Sequence, residues 1–379
     1  MTAAIVTTIA VVGAAAAGVG VGHAVWDGNS STVSTAANNS TNSGANNGNS
    51  GTSSNAAGVA QTVDAALVDI NSTFSYQSAE GAGTGIVLTS TGEILTNNHV
   101  VNGATSISVT DVGNGKTYSA TVVGYDDSQD IAVLQLQGAS GLTTADIGNS
   151  SSLSVGQAVT AIGNAGGTGG TPTSASGSVT ALDQSITASD SLDGVNEQLS
   201  GLIEVNADVQ AGDSGGSLVN SSGQVVGIDT AGSSSYSLQQ PNGNSGSSGS
   251  GTGSGGDGFA IPINTAISIA QQIEAGQSSS TVHVGETAFL GVMLSTASGR
   301  VSVSGAQIAE VVSGGAAAQA GLTAGDVITS LNGQSVSSAS DLSTIVGSLK
   351  PGQSVSIGYT DTSGQSNTAT VTLASGPPA

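Results

Sequence analysis

Apolar runs only four to six residues long, each stopped by Gly, Asn, Asp or Ser, limit what this chain can fold into. Ala120 to Val123, Ile131 to Leu136, Ala158 to Ile162 and Gln224 to Ile228 are such runs, and Ile107–Ser108–Val109–Thr110 alternates at period two. Runs of this length suit strands and are too short for helices. Many short, punctuated strands point to a mainly β architecture, a barrel or sandwich. Aromatic residues make up only 2% of the chain, so the core must be built from Val, Ile, Leu and Ala. Two helical patterns interrupt the strands. Asn264 to Ala275 reads as a helix with Asn264 as N-cap and Gly276 past its end. Near the C-terminus Leu342, Ile345, Val346 and Leu349 recur at helical spacing, with Ser338 and Asp341 as cap and Pro351–Gly352 as stop. Strand-like Val355 to Tyr359 and Thr368 to Leu373 follow, making a small α+β unit with its own core.

The 379 residues leave room for two or three domains. Ala3 to Val25 carries no charge, and as a helix its 23 residues would span about 35 Å, enough to cross a bilayer. Residues 1–26 are therefore expected to be a transmembrane anchor or signal-like segment, with the rest extracytoplasmic or, after cleavage, secreted. Residues 27–60, rich in Ser, Asn and Gly, read as a disordered linker reaching roughly 30 Å. Ser245 to Gly258 has a similar composition between two strand-like runs and reads as a surface loop. A shorter break at 277–287 separates a first domain, 61–276, from a second, 288–376.

Charge and composition exclude several functions. Three Lys and Arg against 25 Asp and Glu give a net charge of -22, which would repel a phosphate backbone, so nucleic-acid binding is excluded. The absence of Cys removes disulfides and thiolate sites. Three scattered His supply no metal-ligand cluster, and no metal or cofactor is expected. Asp126, Asp127 and Asp130 could gather a weak cation, but a solvated turn is the simpler reading.

Three features carry chemistry. His99 sits in Leu95–Thr96–Asn97–Asn98–His99–Val100, directly after a strand-like run, whereas His23 falls at the end of the N-terminal segment and His283 in the break at 277–287. Asp130 precedes the apolar run 131–136. If buried, its carboxylate needs a partner, and imidazole is the natural one where cations are nearly absent. The plain alternative is an Asp in a turn. Ser214 sits in Gly212–Asp213–Ser214–Gly215–Gly216, where glycines free the backbone and adjacent N–H groups can converge on one point. In a chain with 58 Gly an ordinary turn is a serious alternative. Together the three supply base, orienting acid and nucleophile in the order His99, Asp130, Ser214, that of the chymotrypsin-type triad. The Ser motif also fits the G-x-S-x-G elbow of esterases, but that fold needs its His after the Ser, and only His283 follows.

Thr96–Asn97–Asn98–His99–Val100, Asp130 to Leu134, Ala161–Ile162–Gly163–Asn164, Gly212 to Gly216 and Gly258 to Pro262 resemble, in order, the motifs of the HtrA (DegP-like) serine proteases. The resemblance covers about residues 62 to 275. The terminal domain is similar to the PDZ domain that follows the protease in that family, with Phe289–Leu290–Gly291–Val292 as its carboxylate-binding loop and Ala320 to Ile328 as the next run. Ala211 and Ser217 stand where the family often has Pro.

The resemblance implies a chymotrypsin-like double β-barrel, a small α+β PDZ domain and a serine endopeptidase acting on unfolded or misfolded polypeptides. Ser214 would attack the peptide carbonyl, His99 take its proton and Asp130 hold the imidazole, so that activity is lost on acidification as His99 gains its proton. Backbone N–H groups of the Gly212–Asp213–Ser214 turn, chiefly those of Gly212 and Ser214, would form the oxyanion hole. Asp208, six residues before Ser214, would lie at the floor of the substrate pocket and favour Lys or Arg. The family more often cuts after small apolar residues, so the two analogies disagree, and an Asp turned to solvent is the alternative. The loop Gly163 to Ser178 would belong to those that switch between inactive and active forms. The PDZ groove would take peptide C-termini on Leu290, Gly291 and Val292, walled by Leu342, Ile345 and Val346. For Ile345 and Leu349 a core position is the alternative. Homotrimers through the N-terminal region are implied, with Phe74 and Tyr76 as contacts. The competing reading is a catalytically silent PDZ-bearing binding protein. A structural surface protein fits the composition but not the motif order.

Overall fold

A computed structural model describes residues 58–75, 79–189, 196–232, 236–238, 258–295 and 304–376. The expected anchor at 1–26, nearly all of the expected linker at 27–60, and the loop at 245–258 apart from Gly258 lie outside these residues. Among the described residues no helix is long and apolar enough to cross a membrane.

The short apolar runs form strands. β1 (Leu67–Phe74), β2 (Ala79–Val87), β3 (Glu93–Thr96), β4 (Ser106–Asp111), β5 (Thr117–Asp126) and β6 (Ile131–Leu136) pair antiparallel in the order β5-β4-β1-β2-β3-β6. Pairing of β5 with β6 closes them into a six-stranded barrel. β7 (Ala158–Gly163), β8 (Thr173–Ser189), β9 (Asn196–Val205), β10 (Ser217–Asn220), β11 (Val225–Gly232), β12 (Tyr236–Leu238) and β13 (Gly258–Pro262) give the order β12-β8-β7-β10-β11-β13-β9, and β8–β9 pairing closes a second six-stranded barrel with β12 outside it. Closure removes the free edges that would template aggregation.

Alternation sorts side chains between two sides of each barrel wall. Ile107 and Val109 of β4 point inward with Val68, Ile70, Val87, Ile94 and Leu134 to fill the first barrel. Val159, Ala161, Ile203, Leu218 and Val226 fill the second. A third apolar layer joins the barrels: Leu67, Ile86, Leu95 and Ile131 from the first meet Ile162, Ile228 and Phe259 from the second. Burying a side chain such as Ile131 or Phe259 completely stabilises the fold by about 2 kcal/mol. The catalytic candidates sit on the turns around this layer. Phe74, expected as a trimer contact, is instead buried in the first barrel's core, and Tyr76 lies outside the described residues.

Three expectations are corrected. The helix Ile263–Glu274, which packs against strands of both barrels, has its N-cap at Pro262, two residues earlier than the expected Asn264, and no side-chain cap. Asn264 instead spends its side chain on the turn at 149–152: Nδ2 donates to Asn149 Oδ1 (2.8 Å) and Ser151 Oγ (3.0 Å), and Oδ1 accepts from Ser150 N. The loop at 163–178 is shorter than its composition suggested, because residues 173–178 pair with β7. The break at 277–287 contains a strand, β14 (Val282–Val284), which adds to β5 with Val282 opposite Asp126. His283 stacks its ring on Tyr125 at 5.1 Å.

The C-terminal domain has β15 (Thr287–Phe289), β16 (Val292–Leu294), β17 (Ala306–Val311), β18 (Val327–Leu331), β19 (Gln334–Ser335), β20 (Ser354–Thr360), β21 (Ser366–Thr372) and β22 (Ala374–Gly376). Its main sheet runs β16-β17-β18-β20-β21, so β16 is an edge. The helix Ala339–Gly347 begins as its sequence predicts, with Ser338 Oγ accepting from Asp341 N at 3.1 Å. The returning bond goes one residue further back than expected, from Ser337 N to Asp341 Oδ2 at 3.0 Å.

Candidate active site

His99 lies in a one-turn helix, Asn98–Val101, at the end of β3. Asp130 ends a short turn before β6 and takes left-handed backbone angles (φ 52, ψ 47), a conformation that Asp tolerates better than most residues. The kink turns its side chain back toward His99. Asp130 Oδ1 accepts from His99 N at 3.0 Å, and Nδ1 of the imidazole lies 2.9 Å from Oδ2 and 3.1 Å from Oδ1. Asp130 is 1% exposed while the His99 side chain is 31% exposed. The imidazole is thus tethered on its Nδ1 side. Asn97 Nδ2 donates to Asp130 O at 2.9 Å and fixes the turn.

Ser214 lies on a turn entering β10, between barrel strands. Gly212 (φ +96) and Gly215 (φ +83) take backbone angles that other residues rarely adopt. A Cβ on Gly215 would lie 2.0 Å from Thr84 O, and one on Gly212 2.2 Å from Asn164 O. Both glycines are therefore required by close backbone approach as well as by φ. Thr84 of β2 reaches across from the first barrel: its N donates to Ser214 O and its Oγ1 to Gly212 O, both at 2.8 Å. Thr84 Oγ1 also accepts from Asn164 N at 2.9 Å.

Of the three N–H groups expected in the oxyanion hole, that of Asp213 is spent on Gln210 O at 3.0 Å and is not available. The N–H groups of Gly212 and Ser214 meet no acceptor among the described residues. They remain the donors that a developing oxyanion could use.

The hydroxyl of Ser214 donates to Thr230 O at 3.3 Å rather than to the imidazole. Thr230 in turn donates its own hydroxyl to Asp130 Oδ2 at 2.6 Å. One residue of β11 thus bridges the acid and the hydroxyl candidates. Sequence reasoning missed Thr230 and Thr84. The only signal was negative: a buried carboxylate short of cations must find hydroxyl or amide donors elsewhere.

Two further carboxyls lie behind the Ser214 turn. Burial pushes Asp213 up to about 6, with the Gln210 N–H opposing and the Asp208 charge adding. Asp229, completely enclosed, is raised well above the usual range by burial first and by the Asp213 charge second. Asp208 itself is exposed, and its Oδ2 accepts from Gln210 Nε2 at 2.9 Å. It is turned to solvent, the alternative considered for it.

In the C-terminal domain Gly291 (φ +79) turns the chain between β15 and β16. Gly291 O accepts from Val312 N, and Leu290 O from Ala317 N. Leu342 and Ile345 are buried in the domain core, so of the residues expected to wall the groove only Val346 is partly exposed.

Two family models match the chain: a trypsin-like peptidase domain over residues 83–228 and a PDZ domain over residues 288–373. The double barrel and its C-terminal sheet therefore make this a trypsin-like peptidase domain followed by a PDZ domain. The periplasmic pH-dependent serine endoprotease DegQ of Escherichia coli (strain K12) is 37% identical over 293 residues, covering 74% of this chain and 57% of that protein. The serine protease PepD of Mycobacterium tuberculosis is 37% identical over 327 residues, 83% and 65% of the two chains. The periplasmic serine endoprotease DegP of Salmonella typhimurium is 37% identical over 283 residues, 73% and 53%. The chain spans between half and two thirds of the length of these relatives. It belongs to the HtrA (DegP-like) family of trypsin-type serine proteases with a C-terminal PDZ domain.

Proposed function

We propose that the chain is a serine endopeptidase that cleaves unfolded polypeptides outside the cytoplasm and engages peptide C-termini through its PDZ domain. The observation that carries the reading is the tether of His99 Nδ1 to Asp130, with Ser214 joined to the same carboxylate through Thr230. For attack, Ser214 turns about its Cα–Cβ bond from Thr230 O toward Nε2 of the imidazole. His99 takes the hydroxyl proton, and the Asp130 carboxylate, holding Nδ1–H, stabilises the cation formed. The new alkoxide on the substrate meets the N–H groups of Gly212 and Ser214, and loss of one such donor costs about 10²–10³ in rate. Proton transfer from His99 to the leaving amine completes acylation, and water repeats the sequence to release the product. At the PDZ domain the free edge of β16 can accept a peptide as an added strand, its carboxylate on the N–H groups of Leu290, Gly291 and Val292. The periplasmic relatives support an extracytoplasmic site of action, and membrane attachment would rest on residues 1–26.

A second reading, a silent PDZ-bearing binding protein, is favoured by one observation, the Ser214 hydroxyl turned to Thr230 O. Casein turnover by the wild type and by Ser214→Ala separates the two. Loss of turnover in the variant supports the peptidase, and equal turnover by both removes Ser214 from the chemistry.

A further inference from the structure

The two carboxyls behind the Ser214 turn are not used by the chemistry above. Asp229 is completely buried, and neither of its oxygens has a hydrogen-bond donor among the described residues. The Oδ1 of Asp213 is also buried and unpartnered, and lies against Gly163. Asp229 nevertheless holds the turn directly through its backbone: Gly215 N donates to Asp229 O at 2.8 Å, and Asp229 N to Gly216 O at 3.0 Å.

We propose that Asp229 is a positioning residue for the nucleophile turn: as a neutral carboxylic acid it stays seated behind the turn, and its backbone bonds to Gly215 and Gly216 hold Ser214 in place. This rests on the reading of Ser214 as nucleophile. An isolated carboxylate in a dry interior has a large desolvation cost and takes up a proton instead. Among the described residues only the Ile162 N–H opposes that cost, and it does not outweigh burial. On the turn the titratable groups are Asp213 and Asp208, both acidic. β7 brings Ile162 and Gly163, β10 Gly216 and Ser217, and β13 Ala260, none of them ionisable. On β9, Ile203 is level with Ala260, and Glu204 alternates to the other face. The loop 164–172 has no titratable residue. His99 and Asp130 lie beyond Thr230. Among the described residues the Lys and Arg side chains are Lys116, on the β4–β5 hairpin, and Lys350, in the PDZ domain. The direction of the Asp229 and Asp213 shifts agrees with this geometry. Ionisation of Asp229 would place a second charge behind Asp213 and displace the turn together with the oxyanion donors of Gly212 and Ser214 that it carries.

The test is the rate at which a fluorophosphonate probe labels Ser214 in the full chain between about pH 5 and about pH 9, in the wild type, Asp229→Asn, Asp213→Asn and Ser214→Ala. The wild-type rate is expected to rise as His99 loses its proton, then to fall about tenfold per pH unit once Asp229 ionises. Asp229→Asn, which copies the shape of the neutral acid, should keep the rise and lack the fall. A profile for Asp229→Asn that superimposes on the wild type overturns the positioning role and leaves Ser214 as nucleophile. A wild type unlabelled at every pH removes the nucleophile itself, and this role with it. A readout independent of variant folding is carbon-13 NMR of the wild-type chain labelled at aspartate carboxyls. One aspartate still protonated at neutral pH supports the inference, and complete ionisation of all aspartates there overturns it.

Discussion

Thr230 Oγ1 donates to Asp130 Oδ2 at 2.6 Å, and this bond joins the second barrel to the acid of the first across 100 positions of sequence. The carboxylate that orients His99 is thereby fixed from both barrels, so the site depends on how the two barrels seat against each other.

Replacing Thr230 with Val keeps its volume and removes the donor. A hydrogen bond to a charged group contributes about 1.5–3 kcal/mol, so kcat/KM should fall about tenfold to a hundredfold. Thr230→Ser should recover most of it. Steady-state kinetics on a peptide substrate checks both, and an unaffected Thr230→Val would show the bond to be dispensable.

Stability should fall as pH rises. Asp213 moves from 3.8 in the unfolded chain to about 6 in the folded one, so folding takes up protons between those values. The favourable contribution is fully present below about pH 4 and is lost as pH rises through about 6, a change of about 3 kcal/mol at most. Glu93, raised to about 7 by burial and then by Glu274, extends the decline in the same direction. Urea midpoints measured across this range should decrease, and Asp213→Asn should flatten the curve. A midpoint that climbs with pH would contradict the sign.

Gly215→Ala would set a methyl group 2.0 Å from Thr84 O at a backbone angle strained for alanine. The turn must then move, and the oxyanion donors with it. Labelling of Ser214 should drop by about a hundredfold or more, with the PDZ domain still binding peptide. Titration of a C-terminal peptide alongside the labelling assay separates the two effects.

In the PDZ domain the two helix residues expected to share a role should behave differently. Leu342→Ala, at 2% exposure, should destabilise the domain by about 2–5 kcal/mol. Val346→Ser, on the partly exposed flank, should leave stability nearly unchanged and weaken peptide binding. Thermal melts paired with calorimetric titration would reveal any other division of labour.

The barrels were legible because their strands are short, apolar and punctuated, and β6 at Ile131–Leu136 matches its run residue for residue. His99, Asp130 and Ser214 stood out as candidates because residue type and order together restrict the chemistry, and the fold brings His99 against Asp130. Thr230, Thr84 and Asp229 were not. A threonine or an aspartate in a strand reads the same in sequence whether it faces solvent or a neighbouring turn. What makes Asp229 unusual is its enclosure by segments brought together from residues 162 to 260. The same holds for Asn264, a good cap by type, which the Ser150 turn claims instead.

β14 changes where the catalytic unit ends. Amputation after residue 276, where composition alone places a seam, would strip Val282–Val284 from β5 and unstack His283 from Tyr125. The bare amides and carbonyls left on β5 would lie four residues from Asp130, inviting a neighbouring molecule to pair there. A shortened enzyme meant to stay monomeric should therefore retain the chain through Val284.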